Sequence, residues 1–333
     1  MKAIVFDEAG TESDGFAVLK LRDVTMPDCR PGHVVIRTAL VPINPSDLLF
    51  VADKFPGPTR PVFPGQVAGI SGAGYVSSGS DGAESPSNRL FHYTAFGTWA
   101  EYVSVPTDSL IELPPDYPLA LAAQFSNVVT AWQLVENSGV RSGQWLALTA
   151  GYSTVASIAL QFAVRKGINV ISVVRRRRPE IDLTALGAAA VLAHEEFGAN
   201  LREVVMEATC GQGVSGVIDC VTGNQLGQLI RACSPFSRVQ LYGCLDDSNL
   251  DVSGPDLMYS FVDIAPYSYP FSFSPPASES DRQLLRDVIE ASAGGKVKVD
   301  NEREFPLNDF RSALDEHLEG KRPGKIVLAA TSD

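Results

Sequence analysis

The chain has little of several residue types whose abundance would mark a class. Its five cysteines (Cys29, Cys210, Cys220, Cys233 and Cys244) are scattered through 333 residues, odd in number and without Cys-x-x-Cys spacing. That argues against a disulfide framework and against a structural zinc site. The four histidines, His33, His92, His194 and His317, stand far apart. No pair has the helical spacing of metal ligands, so no metal is expected. No apolar run nears the roughly 20 residues that a membrane helix needs. The alternating start, residues 1–6, is interrupted by Asp7 and Glu8 and does not read as a signal peptide. The expectation is therefore no membrane association, with cytoplasmic residence by default. Basic charge is also short. Lys and Arg number 27 against 39 Asp and Glu, a net charge of −12. A general nucleic-acid binder needs a basic face to displace counterions, so that class is set aside.

What is present is ordinary for a globular protein: 45% hydrophobic and 20% charged residues. The length suits two domains. The first 115 or so residues read as β structure. Residues 34–41 alternate as a strand, and residues 69–76 form a glycine-rich one that must bend or be approached closely. Residues 77–88, rich in Ser, Gly, Asp and Pro, read as an exposed loop. Residues 99–105 give another strand. Near residue 117 the period changes. Residues 119–138 predict a helix with Leu121, Phe125, Val128, Val129 and Trp132 on one face. Strand, turn, helix and strand then follow in order: a strand over 145–149, a helix over 155–166, a strand over 169–174 and a short helix over 183–187. Further buried strands are expected over 217–221 and 239–243. Such alternation means a parallel sheet with right-handed crossovers. The tail returns to mixed structure, with helices expected over 282–293 and 307–318 and a closing strand over 325–329.

The strongest chemical signal is the first strand–turn–helix of the α/β half, from Leu148 and Thr149 through Ala150 and Gly151 to Tyr152, Ser153, Thr154 and Val155. A turn there aims the free N–H groups of a helix start, and their partial positive charge, at an anion. In dinucleotide folds that anion is the pyrophosphate. Of the Gly-x-Gly-x-x-Gly fingerprint only Gly151 is present, and on this motif alone an ordinary capped helix is the competing reading. The run Arg175-Arg176-Arg177-Arg178 shifts those odds. It follows the second strand, about 20 residues beyond the turn, where the fingerprint puts its ribose-reading residue. An acidic residue there suits a 2′-hydroxyl, whereas arginines present forked donors to a 2′-phosphate. The competing reading is a solvated basic surface. With the turn before it, selection of NADPH is favoured.

Other motifs are Ile43-Asn44-Pro45-Ser46-Asp47, Phe96-Gly97-Thr98-Trp99-Ala100-Glu101-Tyr102, Thr130-Ala131-Trp132, Leu186-Gly187-Ala188, Ile218-Asp219-Cys220-Val221-Thr222-Gly223 and Gly324-Lys325-Ile326-Val327-Leu328. In this order and spacing the chain resembles, over essentially its whole length, the medium-chain dehydrogenase/reductase superfamily. Within it the resemblance is to the zinc-free quinone reductases and 2-enoyl thioester reductases. It implies an α/β fold: a GroES-like β-barrel catalytic domain over 1–116 and 266–333, and a Rossmann doubly wound parallel sheet over 117–265. It also implies that NADPH lies in the cleft between the two, with a homodimer common among relatives. Asn44 would lie near the nicotinamide, and Asn127 and Thr130 near its ribose or the phosphates. Gly151 and Tyr152 to Val155 would cradle the pyrophosphate, and Arg175, Arg176 and Arg177 would grip the 2′-phosphate. Tyr242, Gly243, Cys244 and Leu245, with Phe271 and Phe273, would line the nicotinamide slot, with Lys325 near its other end.

Two departures matter. Zinc-bearing members place a cysteine where Asn44 stands and a His-Glu pair where Gln66 and Val67 follow Gly65, so Lewis-acid chemistry is not expected. Enoyl thioester reductases of this type carry a tyrosine at the position of Phe55, thought to complete the reduction by giving a proton. Phenylalanine has none to give. Phe55 is then expected to line the substrate pocket, with protonation left to water or to a hydroxyl such as that of Tyr93. The favoured expectation is an NADPH-dependent, metal-independent reductase of quinones, enones or enoyl thioesters acting on a small molecule. Rival expectations are a zinc-free carbonyl or alcohol oxidoreductase, a biosynthetic enoyl reductase with a partner-bound substrate, and a catalytically silent NADPH-binding sensor.

Overall fold

The computed structural model describes residues 1–79, 88–271, 274–299, 303–320 and 324–330. They form two units. One comprises Met1–Ser126, Pro270–Lys296 and Asn301–Asp333, and the other Asn127–Tyr269 and Val297–Asp300.

The first unit is built on two mainly antiparallel sheets. One runs in the order Arg303–Pro306, Ile326–Ala329, His33–Pro42, Ser71–Gly79, Leu90–Thr94 and Leu110–Leu113, with Tyr102–Pro106 also paired to His33–Pro42. The smaller has Lys2–Phe6 between Lys20–Asp23 and Gln66–Val67. The long strand His33–Pro42 and the glycine-rich Ser71–Gly79 lie so close that side chains are excluded. A Cβ at Gly74 would fall 2.3 Å from the Arg37 carbonyl oxygen, and one at Gly72 would fall 2.8 Å from Val41 Cγ1. The close approach expected of this strand is found. Alternating apolar residues turn inward, and Phe6, Phe50, Ile43, Trp99 and Leu314 share one dry cluster.

The second unit is a six-stranded parallel sheet. Its order is Ala190–Ala193, Asn169–Val174, Trp145–Leu148, Val214–Asp219, Cys233–Leu241, Asp263–Pro266. Numbered along the chain, these strands run 3-2-1-4-5-6, the Rossmann order, with its reversal between the first and fourth strands. Leu146, Ala147 and Leu148 are fully buried, as expected of a central strand covered on both faces.

Several local expectations need correction. Residues 183–187 form a turn: Gly187 donates to the Thr184 carbonyl and Ala188 to that of Leu183, each at 2.9 Å. Asp182 Oδ1 accepts from the Thr184 and Ala185 N–H groups like a cap. With Gly187 at φ 104°, too few residues follow to repay helix nucleation. The helix expected over 119–138 is two, Leu119–Ala123 and Phe125–Asn137. At the break, the His92 ring takes the Ala122 carbonyl at 2.9 Å. The strand expected from residue 99 starts at Tyr102, and that expected over 239–243 is Cys233–Leu241.

Candidate functional site

In the second unit the sheet reversal places two turns side by side. After Trp145–Leu148 the chain passes through buried Thr149 and then Ala150, which takes a left-handed φ of 46°. Gly151 follows, its N–H on the Val173 carbonyl at 3.0 Å. A Cβ at Gly151 would sit 3.0 Å from both Ser172 Cβ and Val174 Cγ1. The one fingerprint glycine is thus required by packing against the strand Asn169–Val174. Ser153 caps the helix Thr154–Arg165, accepting from the Ala156 N–H at 3.3 Å. Thr154 and Val155, in the first turn, are only half-buried. Their N–H groups have no intrahelical acceptor. On the neighbouring strand, Asp219 is buried and accepts from the Thr222 N–H at 2.8 Å, while Thr149 Oγ1 accepts from the Cys220 N–H at 3.1 Å. Burial pushes the Asp219 carboxyl up, against the pull of Thr149 and Thr222.

Tyr242 to Leu245 continue past the strand Cys233–Leu241 and stay paired to that turn, Leu245 donating to the Cys220 carbonyl at 3.0 Å. Gly243 passes so near Cys220 that a Cβ would fall 2.9 Å from the Cys220 Cβ. Burial lifts the Cys220 thiol to about 11, and it pushes the Tyr242 phenol well up beside Cys220 and Ser153. Cys244 and Leu245 are exposed. Thr130 is buried close to the Tyr267 hydroxyl, which donates to Gln133 Oε1 at 2.7 Å, and Asn127 is half-buried on the same helix.

The arginine run is tied to the turn. The Tyr152 hydroxyl accepts from the Arg178 N–H at 2.9 Å. Arg175, Arg176 and Arg177 are exposed and Arg178 half-buried. Arg177 is already engaged: Nε reaches Glu196 Oε1 at 2.5 Å, and Nη2 reaches Glu196 Oε2 and the Val191 carbonyl at 3.0 Å. Its N–H donates to Glu195 Oε1 at 3.2 Å. Glu196 is held below the usual carboxylate range by that guanidinium. The Arg175 and Arg176 guanidiniums have no partner among the described residues. The acidic pair was missed from sequence, although its place right after the strand Ala190–Ala193 brings it beside the run.

In the first unit, Asn44 precedes the helix Pro45–Val51. Its N–H donates to Asp47 Oδ2 at 2.6 Å, and Asp47 Oδ1 accepts from Ile70 N–H at 2.8 Å. Burial raises the Asp47 carboxyl to about 7, opposed by those N–H groups and by the Lys325 ammonium. Lys325 is itself buried and donates to the Ile43 carbonyl at 2.7 Å and to Asn44 Oδ1. Lys325 therefore orients Asn44, a coupling no local motif announces. A fixed ammonium on the Asn44 oxygen also makes this a poor cation site, and no metal-binding group of His, Cys, Asp or Glu occurs among the described residues.

Phe55 and Tyr93 both lie in the packed interior of this unit. Phe55 packs in the apolar cluster, its ring edge-on to Phe96 at 5.7 Å with only 8% of the residue exposed. Tyr93 is wholly buried and donates to Thr38 Oγ1 at 3.2 Å. Burial pushes its phenol far up, so it is a structural hydroxyl and not a proton donor to substrate. Phe271 is buried in this first unit, whereas Tyr242 to Leu245 belong to the second. Phe273 lies outside the described residues.

Comparison with known proteins bears on both units. The sequence model of the zinc-binding dehydrogenase family matches residues 186–328. The mitochondrial enoyl-[acyl-carrier-protein] reductase of Xenopus tropicalis is 26% identical over 329 residues, covering 94% of this chain and 91% of the relative. The quinone oxidoreductase of Escherichia coli, solved in complex with NADPH, has a TM-score of 0.85 at 20% identity and covers 99% of this chain and 100% of that one. The chain is thus similar in sequence to enoyl reductases and in fold to quinone oxidoreductases. The quinone oxidoreductase of Thermus thermophilus shows the same fold, with a TM-score of 0.79 at 21% identity over 99% of this chain and 100% of that one. The α/β reading, a GroES-like barrel with a Rossmann sheet, holds.

Proposed function

We propose that this chain binds NADPH and reduces quinones or activated carbon–carbon double bonds, enones and enoyl thioesters among them, in small molecules. The observation that carries this reading is the tie between the capped turn and the arginine run, through Tyr152 and the Arg178 N–H. It puts free helix N–H groups and exposed guanidiniums on one rigid frame, suited to a pyrophosphate and a 2′-phosphate. The solved complexes of fold relatives with NADPH support it.

When bound, NADPH supplies the hydride. The start of the helix Thr154–Arg165 would hold the pyrophosphate. The segment from Arg175 would hold the 2′-phosphate, as the choice of arginine over an acidic residue suggests. Thr130 and Asn127 would meet the nicotinamide ribose. Lys325 holds the Asn44 oxygen and the Asn44 side chain also bonds the Asp47 carboxyl, so Asn44 is fixed in place. From there it would steady the nicotinamide carboxamide or a developing oxyanion on substrate. Phe55 offers no proton, and Tyr93 is sealed inside the barrel, so water would complete the reduction. That favours a quinone or enone, whose reduced oxygen exchanges protons with solvent. Product analysis tests this: reduced quinone or saturated ketone is expected, and reduction of only the C=O of an enone would establish the carbonyl-reductase alternative.

A second reading, a catalytically silent NADPH-binding sensor, draws on Phe55 standing where related reductases have a tyrosine. Tight NADPH binding with no turnover across quinones, enones and enoyl thioesters would favour it. We also propose a homodimer. The outer edge of the terminal strand Asp263–Pro266 is free among the described residues. Beside it Phe236 and Phe261 stack at 5.0 Å while 79% and 59% exposed, an arrangement that a partner surface would cover. No helix among the described residues is long and apolar enough to cross a membrane. The five cysteines are all unbridged. This suits a reducing compartment and supports residence in the cytoplasm.

A further inference from the structure

We infer that the four arginines are not equivalent: Arg175 and Arg176 discriminate NADPH from NADH, and Arg177 with Glu196 is the brace that aims them. The inference rests on the NADPH reading above and divides its labour. Arg177 holds Glu196 through two parallel bonds and the Val191 carbonyl through a third. With Nε and both Nη2 donors engaged, only Nη1 is left and no free two-nitrogen edge remains for a phosphate, because guanidinium donors are directional and fixed in one plane. The brace extends into the backbone. The Arg177 N–H meets Glu195 Oε1 at 3.2 Å, and the Glu195 N–H meets the Arg175 carbonyl at 3.3 Å. On the other side, Tyr152 accepts from the Arg178 N–H. The segment is thus pinned at residues 175, 177 and 178, between the turn that would hold the pyrophosphate and the acidic pair after the strand Ala190–Ala193.

The side chains of Arg175 and Arg176 are left exposed and without a partner among the described residues. Together with Arg178 they repel one another: burial, and then Arg176 and Arg175, lower the affinity of Arg178 for its proton. A dianionic phosphate would relieve that repulsion, whereas a bare ribose hydroxyl would not. Glu195 and Glu196 are held against Arg177 and would oppose a 2′-phosphate bound beside it, so the pairing of Glu196 with Arg177 would also screen an unfavourable charge. Arg177 is accordingly a positioning residue, and Arg175 and Arg176 are specificity residues.

The test is equilibrium titration of the full chain with NADPH and with NADH, followed by cofactor fluorescence, which needs no turnover. Arg175→Ala and Arg176→Ala are each expected to weaken NADPH by about tenfold or more, the scale of one charge-assisted bond, and to leave NADH unchanged. Arg177→Gln combined with Glu196→Gln replaces the ion pair by an amide pair and removes no net charge. It is expected to keep the wild-type ratio of the two affinities within about threefold, a difference well below one such bond. Arg177→Ala, which removes the brace, is expected to weaken NADPH by about tenfold and to leave NADH unchanged; if it folds poorly, the double variant still decides whether Arg177 touches the phosphate. Loss of NADPH preference in the double variant, with preference retained in Arg175→Ala and Arg176→Ala, overturns the inference while leaving the NADPH reading standing. A wild-type chain with no preference overturns both.

Discussion

Replacing Lys325 by Met removes the one buried ammonium that orients Asn44. Lys325 Nζ donates to the Ile43 carbonyl and to Asn44 Oδ1, and its charge favours the ionised form of buried Asp47. Methionine fills much the same volume but donates nothing, so the Ile43 carbonyl and Asn44 Oδ1 each lose this donor at a position only 8% exposed. Each stranded acceptor costs about 1–3 kcal/mol, partly recovered by relaxation, so a loss of about 2–3 kcal/mol is expected. In a chain of 333 residues that corresponds to about 3–4 °C in Tm. The loss should also depend on pH. Asp47 has a folded pKa of about 7 against an ordinary 3.8, so its ionisation works against folding as pH rises through that interval. Without Lys325 the folded pKa rises further. The variant should therefore lose most relative to wild type at and above neutral pH, and least near pH 4. Thermal unfolding at pH 5 and pH 8 measures this, and NADPH turnover should fall as well because Asn44 is released. A variant as stable as wild type, or one with a pH-independent deficit, would refute the coupling.

Buried His92 and half-buried His317 give an acid limit. Burial lowers both His92 and His317 from 6.5 to about 4, so the unfolded chain takes up protons first. The histidine contribution to stability should fall as pH drops from 6.5 to about 4, by on the order of 3 kcal/mol for His92 alone and opposite in sign to that of Asp47, and His92→Gln should remove it from the denaturation profile. Gly74→Ala would drive a Cβ to 2.3 Å from a backbone oxygen. It should cost roughly 3 kcal/mol or prevent folding, whereas Gly151→Ala, meeting only side chains at 3.0 Å, should cost about 1–2 kcal/mol. Guanidinium chloride titration separates the two. A thiol-alkylating probe on the folded chain should label exposed Cys210 and Cys244 and spare Cys220, whose buried thiol is held near 11. Peptide mass spectrometry reads the result.

The alternation of strands and helices and the capped turn were legible because they rest on local patterns. Leu146 to Leu148 form a continuous apolar run, Ser153 caps a helix, and the arginines follow the next strand. What was not legible depends on distance along the chain. Lys325 and Asn44 are 281 residues apart, and only the pairing of strands His33–Pro42 and Ile326–Ala329 brings them together. The pairing of Arg177 with Glu196 likewise follows from the adjacency of two parallel strands. Residues 183–187 misled because a capping aspartate also serves a turn when glycine closes it. Phe55 was read by alignment with a tyrosine, yet its ring packs against Phe96, a contact that spacing does not reveal.

The decisive measurement is the affinity of the intact protein for the two nicotinamide dinucleotides, taken side by side at one ionic strength. NADPH should bind at least about tenfold tighter than NADH, the worth of a single guanidinium–phosphate contact. Equal affinities, or no binding of either, would contradict the assignment of the Tyr152 turn and the adjoining arginines to a phosphorylated dinucleotide.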